Sequence, residues 1–121
     1  MTEFIKAAKS CLGDGGWIEP SQAAHFMTDI LGTGGPCILV ARPHSTETVA
    51  ALVKLCAAHG VAIVPQGGNT NVCRMAVPLA GQHAIILSLS RMQKIIEINP
   101  RANTAAVEAG LVMQTLQEAA L

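Results

Sequence analysis

The stretch that most constrains this fold is residues 37–71: an apolar run, a helical pattern, a second apolar run and a polar glycine-rich loop. Cys37–Ala41 lies between Gly34-Gly35-Pro36 and Arg42-Pro43, so it reads as a short buried strand. Ser45 or Thr46 can cap the next segment, and Glu47 falls in its first turn, where the helix dipole favours an acid. Val49, Leu52, Val53 and Cys56 recur at helical spacing as an inward stripe, and Gly60 closes the helix. Val61–Val64 then reads as a second buried strand. Strand, helix and strand with short connections make a βαβ unit, whose crossover is expected to be right-handed.

The flanking chain extends this pattern. Phe4, Ile5, Ala8, Cys11 and Leu12 predict a helix over residues 2–12, with Thr2 as its cap and Gly13 as its stop. A second helix is expected over Ser21–Leu31, after Pro20 and before Gly32. Ala84–Leu89 reads as a third strand. Lys94–Asn99 and Thr104–Ala109 alternate in part, as antiparallel strands do, around a turn at residues 99–103. Gly110 breaks that pair and Leu111–Leu121 begins another helix. The class is α+β with an α/β-like first half: a small three-stranded parallel sheet with helices, then the start of an antiparallel sheet. The divisions are N-terminal helices at 1–32, a βαβ subdomain at 33–92 containing the loop 65–78, and the start of a second subdomain at 93–121. The last residues stand inside a helical pattern without a cap, so the sequence is expected to be the front part of a larger protein.

Composition narrows the function. Half of the 121 residues are apolar and 13% are charged, which excludes a disordered chain. Eight basic residues balance eight acidic ones, leaving no electrostatic case for nucleic acid. Phe4, Phe26 and Trp17 are the only aromatics besides histidine, too few for a base-stacking platform. The uncharged run Leu55–Cys73 carries His59, Gln66, Asn69 and Asn71 among its glycines, so no transmembrane segment is expected. Cys11, Cys37, Cys56 and Cys73 are at least 17 residues apart, which fits reduced thiols of a cytoplasmic protein better than a zinc or redox motif. So few charges on so small a body leave an apolar face to meet further chain, a cofactor or another subunit.

Pro65-Gln66-Gly67-Gly68-Asn69-Thr70-Asn71 carries the chemistry. Paired glycines let a ligand approach the backbone, and successive N–H groups in such a turn form a concave anion site. The end of a parallel strand is also where α/β sheets bind ligands. These features suit a phosphate or pyrophosphate, while the same residues also suit a plain turn at the end of a strand. The loop is neither a dinucleotide fingerprint nor a P-loop.

In order and spacing, "VAIVPQGGNTN…AVP", "IILSLSRMQKI" and "NTAAVEAGLV" resemble the FAD-binding domain of flavin-linked oxidases of the vanillyl-alcohol oxidase and p-cresol methylhydroxylase type. The similarity is greatest to the branch of D-2-hydroxyglutarate dehydrogenase, D-lactate dehydrogenase and the glycolate oxidase flavin subunit, and "ARPHSTETVAALVKLCAAHG" extends it. The resemblance implies that Gln66, Gly67, Gly68, Asn69, Thr70 and Asn71 wrap the FAD pyrophosphate. It places a second contact at Met75 and Ala76, and brings Ser90, Ala109 and Gly110 to the flavin or its ribityl chain. Asn71, Arg74 and Met75 stand where glycines are common in the family. Met75 would crowd a phosphate there and Arg74 would pair with one. Some relatives tether FAD through a histidine; Asn69 occupies that position, which implies noncovalent FAD.

No catalytic residue is expected in this chain. His25, His44, His59 and His83 read as surface or capping groups, Arg42 and Arg91 as structural or solvated, and Glu108 as an outward strand residue. In the resembled family the substrate groups come mainly from later chain. The resemblance therefore implies the FAD-binding part of an oxidoreductase acting on a 2-hydroxy acid such as D-lactate, glycolate or D-2-hydroxyglutarate, with a separate electron acceptor. Alone, this chain is expected to be inactive and to hold FAD weakly or not at all. The alternative is a non-catalytic α/β module that binds a nucleotide or a partner chain.

Overall fold

The computed structural model describes residues 1–121. The elements in chain order are α1 (Thr2–Leu12), β1 (Trp17–Ile18), a 3₁₀ turn (Pro20–Gln22), α2 (Ala24–Met27), β2 (Val40–Ala41), α3 (Thr46–His59), β3 (Ala62–Gln66), β4 (Ala84–Ser88), β5 (Ile95–Asn99), β6 (Thr104–Val107) and α4 (Met113–Ala120). The first sheet runs β1-β2-β4-β3. Its β2, β4 and β3 are parallel, with Val40 opposite Ile86 and the full β3–β4 register from Ala62–Ala84 to Gln66–Ser88. The second sheet is the antiparallel pair β5–β6, with a bulge between Ile95 and Glu97.

Strand periodicity sorts the core onto the two faces of the first sheet. Leu39, Ala41, Ile85 and Leu87 point to one face and pack with Phe4, Ala8, Leu12, Leu52, Cys56 and Val61, so that face is covered by α1 and α3. Val40 and Ile86 point to the other, where Ala23 and Cys37 join them beneath Ile18, Phe26 and Met27. Every residue of β4 is buried, as its central position demands.

The βαβ expectation holds in detail at α3. Ser45 Oγ accepts from the backbone N–H of Thr48, and Gly60 ends the helix at φ 65°, a left-handed conformation that glycine adopts without a Cβ penalty. Leu52 and Cys56 face the core, but Val53 is exposed, at the margin of the stripe.

Other expectations need correction. An antiparallel strand, β1, extends the parallel three by pairing Trp17 with Ala41 and Ile18 with Val40. The helix expected over Ser21–Leu31 is only a 3₁₀ turn and the single turn of α2. Asp29 explains the early stop: its Oδ1 accepts from the N–H groups of Leu31 and Thr33, and Thr28 bridges to Gly34, which folds the chain back. The strand expected at Cys37–Ala41 narrows to Val40–Ala41, although Ile38 still donates to Ala84. Thr2 is the first helical residue of α1 and no side chain caps that helix. The last strand stops at Val107; Glu108 turns back on the hairpin, where its Oε1 accepts from Lys94 N–H at 2.9 Å.

Candidate functional site

Parallel pairing sets the site. Gln66 lies opposite Ser88, so the segments leaving β3 and β4 emerge side by side at the carboxyl end of the sheet. A third segment arrives from β6. Gly110 N–H donates to Met92 O at 2.9 Å, and a Cβ on Gly110 would stand 1.7 Å from Leu89 O. Only glycine permits that approach. The three segments enclose a groove of about 460 Å³, walled by Gly67, Gly68, Thr70, Ser90, Ala109 and Gly110 among others.

The loop after β3 offers main-chain donors to this groove. No hydrogen bond within the protein uses the backbone N–H groups of Gly67, Gly68, Asn69 or Thr70. Neither Gly67 nor Gly68 has a positive φ, and a Cβ on either would meet no close protein atom. The fold itself therefore does not require glycine at these two positions, and their main chain is left open to an approaching group. No charged side chain lines the groove, so its unpaired main-chain N–H groups are the donors it can offer an anion.

The other expected residues fall in different places. Gln66 is buried, and its Nε2 donates to Phe26 O and Ala76 O, each at 2.8 Å. Ala76 is buried and contributes that carbonyl to the neck of the loop. Asn69 Nδ2 donates to Thr28 O at 2.9 Å and to His25 O at 3.3 Å. Asn71 Oδ1 accepts from Cys73 N–H and, at 3.4 Å, from Met75 N–H, closing the far side of the loop. The left-handed backbone falls on Asn69 (φ 56°) and Arg74 (φ 60°), not on Asn71 or Met75. Arg74 and Met75 line a separate hollow with Ile63, Val64 and Pro65, so neither side chain crowds or charges the groove.

Ser90 takes a hydrogen bond from Ser88 Oγ at 3.1 Å, while Ala109 stands exposed at the rim. Gly110 serves the joint between the two sheets, since its N–H is already committed to Met92. Sequence reasoning missed Gln93 and Gln114, which also line the groove. Gln93 Nε2 donates to Ser90 O at 2.8 Å and so steadies the turn after β4. It also missed residues 25–33, which approach the loop from behind and carry no motif.

The chain is similar to known proteins over most of its length. A D-2-hydroxyglutarate–pyruvate transhydrogenase of Saccharomyces cerevisiae is 35% identical over 96 residues, 78% of this chain and 19% of that protein. A D-2-hydroxyglutarate dehydrogenase of Xanthomonas citri pv. viticola is 35% identical over 103 residues, 84% of this chain and 21% of that protein. The chain thus spans about a fifth of the length of the curated relatives it matches. Among solved structures, p-cresol methylhydroxylase with substrate bound superposes with a TM-score of 0.78 at 24% identity, over 98% of this chain and 24% of that one. This likeness shows the fold. Residues 37–121 match the model of the FAD binding domain, so the chain belongs to that family and FAD is its cofactor.

Proposed function

We propose that this chain holds the pyrophosphate and ribityl parts of FAD in a flavin-dependent dehydrogenase or oxidase of 2-hydroxy acids. The observation that carries the reading is the run of unpaired N–H groups from Gly67 to Thr70, set over two glycines that the fold does not itself need. Bound FAD supplies the two-electron acceptor that such an oxidation requires. The loop N–H groups hold the diphosphate, Ser90 and Ala109 border the chain leading to the flavin, and Gly110 keeps the opposite wall close. Asn69 has no nucleophilic atom to offer the flavin, which supports noncovalent binding. The named activities of the relatives support a 2-hydroxy acid as substrate.

The electron acceptor of the whole enzyme lies outside this chain, and the exposed apolar residues of β5, β6 and α4 are the surface on which further chain or a second subunit packs. No helix is long and apolar enough to cross a membrane. The four cysteines are unpaired, which supports a reducing compartment, the cytoplasm in the first instance.

Titration of the protein with FAD and with ADP, followed by flavin fluorescence and by melting temperature, tests the reading. Weak but saturable binding of both ligands is expected, with a raised melting temperature at saturation. No binding of either at millimolar concentration overturns it.

A further inference from the structure

Gln66 ends β3 and Asn69 follows in the loop; Gly67, Gly68 and Thr70 line the groove, whereas the Gln66 and Asn69 carboxamides reach toward residues 25–28. They reach residues about 40 positions earlier, the carbonyls of His25, Phe26 and Thr28. Those carbonyls belong to the end of the single-turn helix α2, where a helix leaves acceptors without internal partners. The Gln66 and Asn69 side chains satisfy them.

The segment they grip is itself closed. Asp29 is only 7% exposed; its Oδ1 accepts from Leu31 N–H at 2.9 Å and from Thr33 N–H at 2.8 Å. Asp29 N–H donates to Thr33 O, and Thr28 pairs with Gly34. A Cβ on Gly34 would lie 1.8 Å from Met27 O, so the return of the chain is tight as well as bonded. Residues 25–34 are therefore a preformed turn rather than a slack connection.

We propose that residues 25–33 act as a strap that positions the phosphate-binding loop, with Asn69 as the positioning residue through which it acts; this rests on the FAD reading above. Anchoring by side chains leaves the main-chain N–H groups of residues 67–70 unspent and fixed in direction. Anchoring through the main chain would consume the same donors that a diphosphate needs. Asn69 suits the task twice, because asparagine accepts φ 56° more readily than most residues and its Nδ2 spans two carbonyls at once.

Asn69→Gly tests the strap, since glycine accepts the left-handed backbone and removes the carboxamide along with its Cβ. FAD and ADP affinities are expected to fall together by about tenfold, the scale of one or two neutral hydrogen bonds. Riboflavin, which has no diphosphate, is expected to bind as it does to the parent. The melting temperature of the cofactor-free variant is expected to stay within about 3 °C of the parent. Asp29→Ala loosens the strap without touching the loop. Where that variant folds, it is expected to weaken ADP binding, and the double variant to lose little more than Asn69→Gly alone.

Unchanged ADP affinity in Asn69→Gly overturns the proposal. So does a collapse of melting temperature with equal losses for ADP and riboflavin, which would make the contact merely structural. Additive losses in the double variant also overturn it. If the parent itself binds neither FAD nor ADP, the reading of the site fails first and the strap falls with it.

Discussion

Residues 1–92 and 93–121 are built on opposite terms. The first stretch contains every buried residue of the chain; Met92 is the last of them. Its sheet is sealed on one face by α1 and α3 and on the other by Ala23, Phe26 and their neighbours. The second stretch has a complete β5–β6 ladder and a formed α4, yet no residue in it is buried. Ile96 is 70% exposed and Met113 65%. The hairpin is held by its ladder with only half-buried apolar residues such as Ile98 and Val107, and the joint at Gly110 ties it to the turn after β4. A hairpin can thus be held beside a groove without a buried core of its own.

Substitutions should separate the two stretches sharply. Ile85→Ala, at a fully buried position in the central strand, is expected to cost about 2–5 kcal/mol in chemical denaturation. Ile96→Ala is expected to change stability by no more than about 0.5 kcal/mol. Similar losses at both sites would mean that the hairpin has an unseen core.

Gly110→Ala acts on the joint. Its Cβ cannot stand 1.7 Å from a carbonyl oxygen, so the β5–β6 pair must shift away from the turn after β4. Amide exchange is expected to speed up across residues 94–109 while β3 and β4 keep their protection, and FAD binding should be lost. Unchanged exchange would show that the joint has slack.

Gly67→Ala should move two properties in opposite directions. The position is compatible with alanine, so stability is expected to rise by about 0.4–1 kcal/mol through a less flexible unfolded chain. On the proposed reading the new methyl would stand where the diphosphate lies, so affinity for FAD and ADP is expected to fall. A variant that binds as the parent does would remove the ligand from this face of the loop.

The smallest effect concerns thiols. Burial raises the pKa of Cys37 and Cys56 above the ordinary thiol value. Between the ordinary and the raised value the unfolded chain has lost these protons and the folded chain retains them, so stability is full below that window and declines as pH rises through it. Denaturation midpoints measured from pH 7 to pH 10 check the direction. In the native state a maleimide dye is expected to label exposed Cys73 first, with Cys37 and Cys56 protected until the first stretch unfolds.

The sequence was most legible where local chemistry decides structure. Ser45 and Gly60 bound α3 because a cap oxygen and a left-handed glycine act within one turn. β1 was hidden because two residues have no periodicity and their partners are more than twenty positions away. The run Ser21–Leu31 looked helical by its apolar spacing, and a single carboxylate, Asp29, offered its amides a better bond. In the site, the paired glycines were readable as open main chain after a strand, and the structure leaves their N–H groups unpaired. The destinations of the Gln66 and Asn69 side chains were not, since a carboxamide gives no sign of whether it faces a phosphate or a distant carbonyl. Gly110 was readable as a break, while the reason for glycine lay in Leu89, another part of the chain.

The strand order β1-β2-β4-β3 also bears on the birth of the protein. The centre of the sheet is the last of its strands to be synthesised, and β2 and β3 have no bonds to each other without it. Until residues 84–88 are available, the nascent chain carries α1, α3, the β1–β2 pair and β3, with the β4-facing edges of β2 and β3 both open. Ala84–Ser88 closes both gaps in one insertion, so folding of the first stretch should begin abruptly once Ser88 clears the exit tunnel.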